Sequence, residues 1–119
     1  MRYMLLFYDE EPTTMPSQAE TDAEMAEWYA YDSALREAGI FVSSEALQPS
    51  QTATTVRLKS KERMVTDGPF AETREVLGGY YVVDVPDLDT ALDWAARCPT
   101  AKHGSVEVRP VMVFDEPEQ

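Results

Sequence analysis

The distribution of apolar and polar residues along the chain predicts six β-strands and two helices. Runs of apolar and β-branched residues bounded by turn-forming residues indicate strands, because such side chains pack well on the faces of a sheet. The run at 79–85 is the strongest of them, and a polar turn at 59–62 joins the third and fourth runs into a hairpin. The predicted strands are residues 2–8, 40–47, 53–58, 63–66, 79–85 and 106–114.

Two further segments repeat apolar residues every three to four positions, which is the period of an amphipathic α-helix. The first covers residues 17–38, with Ser17 as the predicted N-cap and Glu20 in the capping-box position. The second follows Asp87, a good N-cap residue, and covers residues 88–97. Its inner face is predicted to consist of Leu88, Ala91, Leu92 and Ala95.

The order of these elements is β-α-β-(β-β)-β-α-β, a ferredoxin-like split β-α-β arrangement with a hairpin inserted between its halves. The helices would cover one face of the sheet, while aromatic and valine side chains indicate that the other face is buried as well. Pairing two such faces gives a dimeric α+β barrel. We therefore predict a single α+β domain over residues 1–114, a homodimer, and an acidic, mobile tail over residues 115–119.

Composition narrows the classes of protein to which the chain belongs. A chain of 119 residues with 44% apolar content suits one domain, and its formal charge of −12 opposes direct binding to nucleic acid. The single cysteine fits a reducing cytoplasm, and no run approaches the roughly 20 apolar residues of a membrane span. One histidine and one cysteine are too few for a dense zinc site within one chain, and the acidic residues that could hold another divalent ion show no ligand spacing, so we expect no metal and no cofactor.

Asp67 and His103 are the candidates for acid–base chemistry. Asp67 opens the constrained turn Asp67-Gly68-Pro69, where its carboxylate either accepts N–H groups of the turn or acts as a general base in a cleft. His103 is the only histidine and lies in the loop before the last strand. It either shuttles protons near neutral pH or is bonded only to backbone and solvent.

Candidate ligand-binding residues lie on strands and on the first helix. Arg57 and Arg109 fall in predicted strands, where each must meet a carboxylate, reach solvent or hold an anionic ligand. Trp28 lies on the first helix among aromatic residues that either line a pocket or pack the core.

Six segments spread over nearly the whole chain carry a family likeness. They include Asp67-Gly68-Pro69-Phe70 and the two glycines before Tyr80, and they cover residues 54–57, 66–73, 77–81, 84–89, 95–99 and 103–110. Together they resemble the DGPF-domain group of the YCII-related proteins. The resemblance implies a dimeric ferredoxin-like α+β barrel, and a regulatory context, because some members occur beside or fused to extracytoplasmic-function sigma factors.

The resemblance also implies a His–Asp pair that this chain lacks. In the broader YCII-related proteins the histidine lies on the first helix, and the aspartate precedes the proline after the second helix. Residues 18–39 contain no histidine, and Cys98 stands before Pro99. Acid–base catalysis therefore cannot be carried over from the family.

Three functions remain open from the sequence. The first is binding of a small molecule in a cleft between the sheet and the first helix, lined by Arg57, Asp67, Trp28 and His103, with Arg109 as a further ligand-binding candidate. The second is a cofactor-independent enzyme, such as an isomerase, lyase or monooxygenase, acting on a small polar organic substrate. The third is a protein-interaction partner in transcriptional signalling that uses the acidic first helix. A pocket with convergent polar groups and a perturbed carboxylate favours the first two, and a fully packed cleft favours the third.

Overall fold

The computed structural model describes residues 1–114, which form a four-stranded antiparallel sheet, two α-helices and a separate two-stranded hairpin. The predicted element order is confirmed, although the last strand ends at Pro110 rather than at 114. The predicted tail at 115–119 lies outside the described residues. The elements are β1 (Arg2–Asp9), α1 (Gln18–Glu37), β2 (Phe41–Ala46), β3 (Thr54–Lys59), β4 (Glu62–Asp67), β5 (Val76–Asp84), α2 (Leu88–Arg97) and β6 (Ser105–Pro110), with short 3₁₀ turns at Ser50–Thr52 and Pro99–Lys102.

The strands of the main sheet follow the order β2-β5-β1-β6, and every neighbouring pair is antiparallel. Leu5 on β1 therefore lies opposite Tyr81 on β5 and Val108 on β6. Because side chains alternate between faces, these three residues share the face that packs against the helices. Met4 and Leu6 lie on the opposite face, which carries no helix.

The core fills the space between this sheet face and the two helices. Leu35 of α1 is fully buried, and Leu5 and Val83 lie beneath it in the same cluster. The other buried members of the cluster are Tyr3, Phe7, Tyr31, Tyr81, Val85, Ala91, Ala95 and Cys98.

Both helices begin at the predicted caps. The Ser17 hydroxyl accepts the Glu20 N–H at 3.1 Å, and the Asp87 carboxylate accepts the Thr90 N–H at 2.8 Å. The hydrogen bonds from the Thr90 hydroxyl and N–H hold the pKa of Asp87 below its usual range. Gly39, with φ of +72°, follows the C-cap of α1 in the left-handed region that glycine adopts without strain. No helix of residues 1–114 is long and apolar enough to cross a membrane.

The inner face of α2 is narrower than predicted. Ala91 and Ala95 are buried, but Leu88 and Leu92 are 47% and 46% exposed. Each leucine precedes one of the alanines by three residues, so it shares their broad face but lies on its flank, where the sheet does not cover it. The two alanines allow α2 to pack closely on the sheet, with the half-buried Trp94 beside them.

The hairpin β3–β4 projects from the rest of the domain. Within the described residues it pairs with no other strand, and its apolar side chains are exposed, Leu58 by 74%. The radius of gyration is 17.1 Å, compared with about 13–14 Å for a compact domain of this length. The β3–β4 hairpin therefore leaves a large apolar surface uncovered in one chain.

Candidate functional site

A cleft of about 480 Å³ lies between α1 and the edge of the sheet formed by β2 and β5. It is partly enclosed, with an aromatic and apolar floor and polar residues around it. Its lining residues come from β1, α1, β2, β5 and the 3₁₀ turn before β6, and they are Phe7, Asp9, Thr21, Glu24, Met25, Trp28, Ser44, Glu45, Ala46, Gly78, Tyr80, Tyr81 and Thr100.

The floor consists of aromatic rings that α1 and the sheet bring together. The Phe7 and Trp28 rings are 4.9 Å apart between centroids. The Trp28 and Tyr81 rings are nearly parallel, at 8°, with centroids 6.3 Å apart. Trp28 is half-buried because Tyr31 and Leu35, one and two helical turns further along the same face, anchor α1 in the core.

Tyr81 is fixed at the base of the floor by its hydroxyl, which donates a hydrogen bond to Asp32 at 3.1 Å. Burial, together with this bond and the nearby Asp32 charge, raises the pKa of Tyr81 to about 12. Arg36 in turn pairs with Asp32 at 2.5 Å. The Tyr81 phenol is therefore neutral at physiological pH, and its ring is held in one orientation.

Gly79 lets two walls of the cleft approach each other. A Cβ atom at this position would lie 2.5 Å from the Glu45 carbonyl oxygen and 2.8 Å from Cε2 of Phe7. Both distances are too short for real atoms, so only glycine leaves room for β2 and the Phe7 ring. The shape of the cleft therefore requires glycine at the second glycine position of the Leu77-Gly78-Gly79 segment.

His103 and Asp9 form a pair beside the cleft. The imidazole Nδ1 lies 2.7 Å from Asp9 Oδ2, while Asp9 Oδ1 accepts the Glu10 N–H at 2.8 Å. Gly104 makes this contact possible, because a Cβ atom there would lie 2.2 Å from the Tyr8 carbonyl oxygen. Asp9 lines the cleft, and His103 lies behind it with a side chain that is 59% exposed.

The predicted binding residues are only partly brought together. Trp28 lines the cleft, and His103 reaches it only through Asp9. Arg57 and Asp67 lie on the projecting hairpin, away from the cleft lining. Arg109 does not line the cleft either, and it pairs with Glu107 at 3.2 Å on β6.

Sequence reasoning missed several residues of the cleft, including Asp9, Glu24 and Glu45. Asp9 belongs to a run of three acids, and Glu24 is one of many acids on α1, so nothing local distinguishes either. Glu45 is an ordinary polar residue of an edge strand. Their proximity arises from the packing of three separate elements, which the sequence pattern does not display.

Of the two roles considered for Asp67, the structure does not display the turn role. Its carboxylate accepts none of the hydrogen bonds formed within residues 1–114, and its side chain is exposed. The turn is instead held by the Thr55 hydroxyl, which donates to the Gly68 carbonyl at 2.8 Å, and by the Gly68 N–H, which donates to Ala53 at 2.7 Å. Gly68 has φ of +95°, so the turn depends on glycine and on the neighbouring strand.

We therefore expect Asp67→Asn to leave the melting temperature unchanged within about 1 °C, as is usual for an exposed position. Thr55→Val should lower it by several degrees, because the partly buried Gly68 carbonyl loses its donor. Differential scanning calorimetry of both variants checks this. A larger loss for Asp67→Asn than for Thr55→Val would restore the turn role of the aspartate.

Other reactive groups offer no second site within the described residues. The only cysteine, Cys98, is buried, and burial raises the pKa of its thiol, which disfavours a thiolate nucleophile. No group of three or more histidine, cysteine or acidic residues in the part of the chain described here has the arrangement of a metal site. A second depression of about 270 Å³ beside Arg74 is open and mostly polar, and it lacks an apolar floor.

The strand order, the two helices on one sheet face and the cleft beneath α1 define an α+β protein built on the split β-α-β plan. The chain belongs to the YCII-related domain family, whose sequence model matches residues 1–115. It is 38% identical over 117 residues to an uncharacterised protein of Rhizobium meliloti (strain 1021), an alignment that covers 96% of this chain and 94% of that protein.

Proposed function

We propose that the protein binds a small molecule in the cleft between α1 and the β2–β5 edge. The observation that carries this proposal is the open space of about 480 Å³ above an aromatic floor. Ligand sites are typically clefts of about 300–1,000 Å³ with apolar walls and a few polar groups, and this cleft fits that description. A fully packed α1–sheet interface would have favoured a protein-interaction role.

Ligand binding at this site should raise the thermal stability of the protein. A ligand at about ten times its dissociation constant stabilises the native state by roughly 1.4 kcal/mol, which a thermal-shift assay detects. We expect hits from a library of charged and neutral single-ring fragments, and we expect Trp28→Ala to abolish them. Tyr29→Ala is the matched control, because Tyr29 is adjacent on α1 but 67% exposed and outside the cleft.

Trp28→Ala also removes core contacts, so a second variant keeps the assay decisive. Ala46→Phe places a ring at the open edge of the cleft without removing any buried side chain. Hits that survive both Trp28→Ala and Ala46→Phe would place the ligand elsewhere and refute the proposal. An empty screen with wild-type protein would refute it as well.

A cofactor-independent enzyme is the second candidate, because the His103–Asp9 pair adjoins the cleft. The proposed role of Asp9 is to accept a proton from a bound substrate, with the His103 N–H orienting the carboxylate. Chemical conversion of a bound fragment by wild type, lost in Asp9→Asn while binding persists, would support this role. Conversion that persists in Asp9→Asn would exclude it.

Two chains are proposed to pair through the sheet face that carries no helix, as in a dimeric α+β barrel. Met4, Leu6 and Tyr8 of β1 lie on that face, together with Tyr80 of β5, and each is only half-buried. The projecting hairpin adds further uncovered apolar surface. A second copy of this chain would cover both the helix-free sheet face and the projecting hairpin through one symmetric interface.

Light scattering should therefore give twice the 13.4 kDa of one chain at micromolar concentration. Leu6→Asp should shift the protein towards the monomer, because it places a charge in the proposed interface. Met15→Asp is the control, since Met15 is almost fully exposed in the loop before α1. A monomer mass for the wild type would rule out the barrel.

A further inference from the structure

We propose that the ligand of this cleft is a small organic cation, an ammonium group carried on an apolar body. This inference rests on the proposed function and specifies the chemical class of the ligand. Two independent properties of the cleft support it, namely the charge of its lining and the aromatic faces of its floor.

The charged residues that line the cleft are all acidic. Asp9 of β1 and Glu24 of α1 lie on the side of the aromatic floor, and no lysine or arginine is among the lining residues. Glu45 pairs with Tyr80 in the sheet, so its side chain lies on the face that carries no helix. Within residues 1–114, Glu24 forms no ion pair, whereas nearby Glu27 pairs with Lys102 at 2.6 Å. A partly enclosed site lined by one sign of charge concentrates ligands of the opposite sign.

The aromatic floor offers the second attraction. Cations bind to the faces of aromatic rings, and tryptophan is the strongest partner. Two other aromatic rings of the protein already carry a cation over their faces. The guanidinium carbon of Arg36 lies 3.9 Å from the centroid of the Phe41 ring, and that of Arg97 lies 4.2 Å from the centroid of the Trp94 ring. Trp28, in the described part of the chain, has no such cation over its ring.

An anionic ligand fits this cleft poorly. The strand arginines considered for that purpose, Arg57 and Arg109, are absent from its lining, and the chain carries a formal charge of −12. The apolar body of a cationic ligand has partners in Met25 and in the rings of Phe7 and Trp28. The ammonium group is then placed near the acidic rim.

Three compounds that share a 2-phenylethyl group distinguish the contribution of charge to the affinity from that of apolar contact. They are 2-phenylethylammonium, 2-phenylethanol and 3-phenylpropanoate. Isothermal titration calorimetry at pH 7 and low salt should show the ammonium binding at least about tenfold more tightly than the alcohol, with the carboxylate weakest. The variant Glu24→Gln should weaken the ammonium about threefold and leave the alcohol unchanged. Glu37→Gln, on the same helix but outside the cleft lining, should change neither affinity.

The outcomes distinguish this inference from the proposed function. Equal affinities for all three compounds, lost in Trp28→Ala and Ala46→Phe, would overturn the cation and leave ligand binding in the cleft intact. Tighter binding of the carboxylate would do the same. Binding that persists in both cleft variants, or no binding of any compound, would overturn the cation and count against the proposed site.

Discussion

Leu35→Ala should destabilise the protein by about 2–5 kcal/mol, the largest effect we expect from a single truncation. Leu35 is fully buried at the centre of the α1–sheet contact, so its loss removes apolar burial and leaves a cavity. A domain of this kind is stable by only about 5–15 kcal/mol, so a large share of that stability would disappear. Urea unfolding at one fixed protein concentration measures the change.

Leu92→Ala is the matched control for this truncation. Leu92 is also a helical leucine, but it is 46% exposed on α2. Its truncation should cost less than about 1 kcal/mol, because little apolar surface returns to water. Equal losses of unfolding free energy in the two variants would contradict two assignments: that Leu35 is a core residue, and that α2 contacts the sheet through its alanines.

Gly79→Ala should destabilise the protein by about 1–3 kcal/mol and abolish ligand binding in the cleft. The added methyl group would collide with the Glu45 carbonyl and the Phe7 ring, at 2.5 and 2.8 Å. The carbonyl belongs to the backbone of β2, so the strand itself must move. Glu45 and Phe7 both line the cleft, so this movement changes its shape.

Gly78→Ala provides a control one residue away. A Cβ atom at Gly78 would meet only ordinary contacts, the nearest 3.8 Å from the Phe7 carbonyl oxygen. We expect its free energy of unfolding to stay within about 0.5 kcal/mol of the wild type. Urea unfolding of both variants would refute the steric explanation if it ranked Gly78→Ala as the more damaging change. The fragment thermal-shift assay is applied to Gly79→Ala only, because Gly78 itself lines the cleft.

Local patterns in the sequence were sufficient to predict the element order and the helix starts. Ser17 and Asp87 cap the helices as expected, because a cap depends only on residues within one turn of it. The strand order follows from short connections and the packing of helices on one face. The narrow inner face of α2 was not predictable in the same way, because the depth of a leucine depends on how closely its helix approaches the sheet.

The candidate site was much less predictable than the fold. The position of Trp28 on the face of α1 that meets the sheet is readable from the sequence, because its spacing with Tyr31 and Leu35 defines that face. The support of the Gly68 turn by Thr55 depends on pairing between β3 and β4. The His103–Asp9 pair joins opposite ends of the chain, so no local spacing could reveal it.

Binding against Trp28 is tested most directly by NMR of the two tryptophan indole N–H groups. Trp28 lines the cleft, while Trp94 belongs to α2 and lies outside the cleft lining, and Trp28→Phe assigns the two signals. We expect titration with 2-phenylethylammonium to move the Trp28 signal to saturation and to leave the Trp94 signal in place. A Trp28 signal that stays fixed at millimolar ligand, or equal movement of both signals, would contradict a binding site in this cleft.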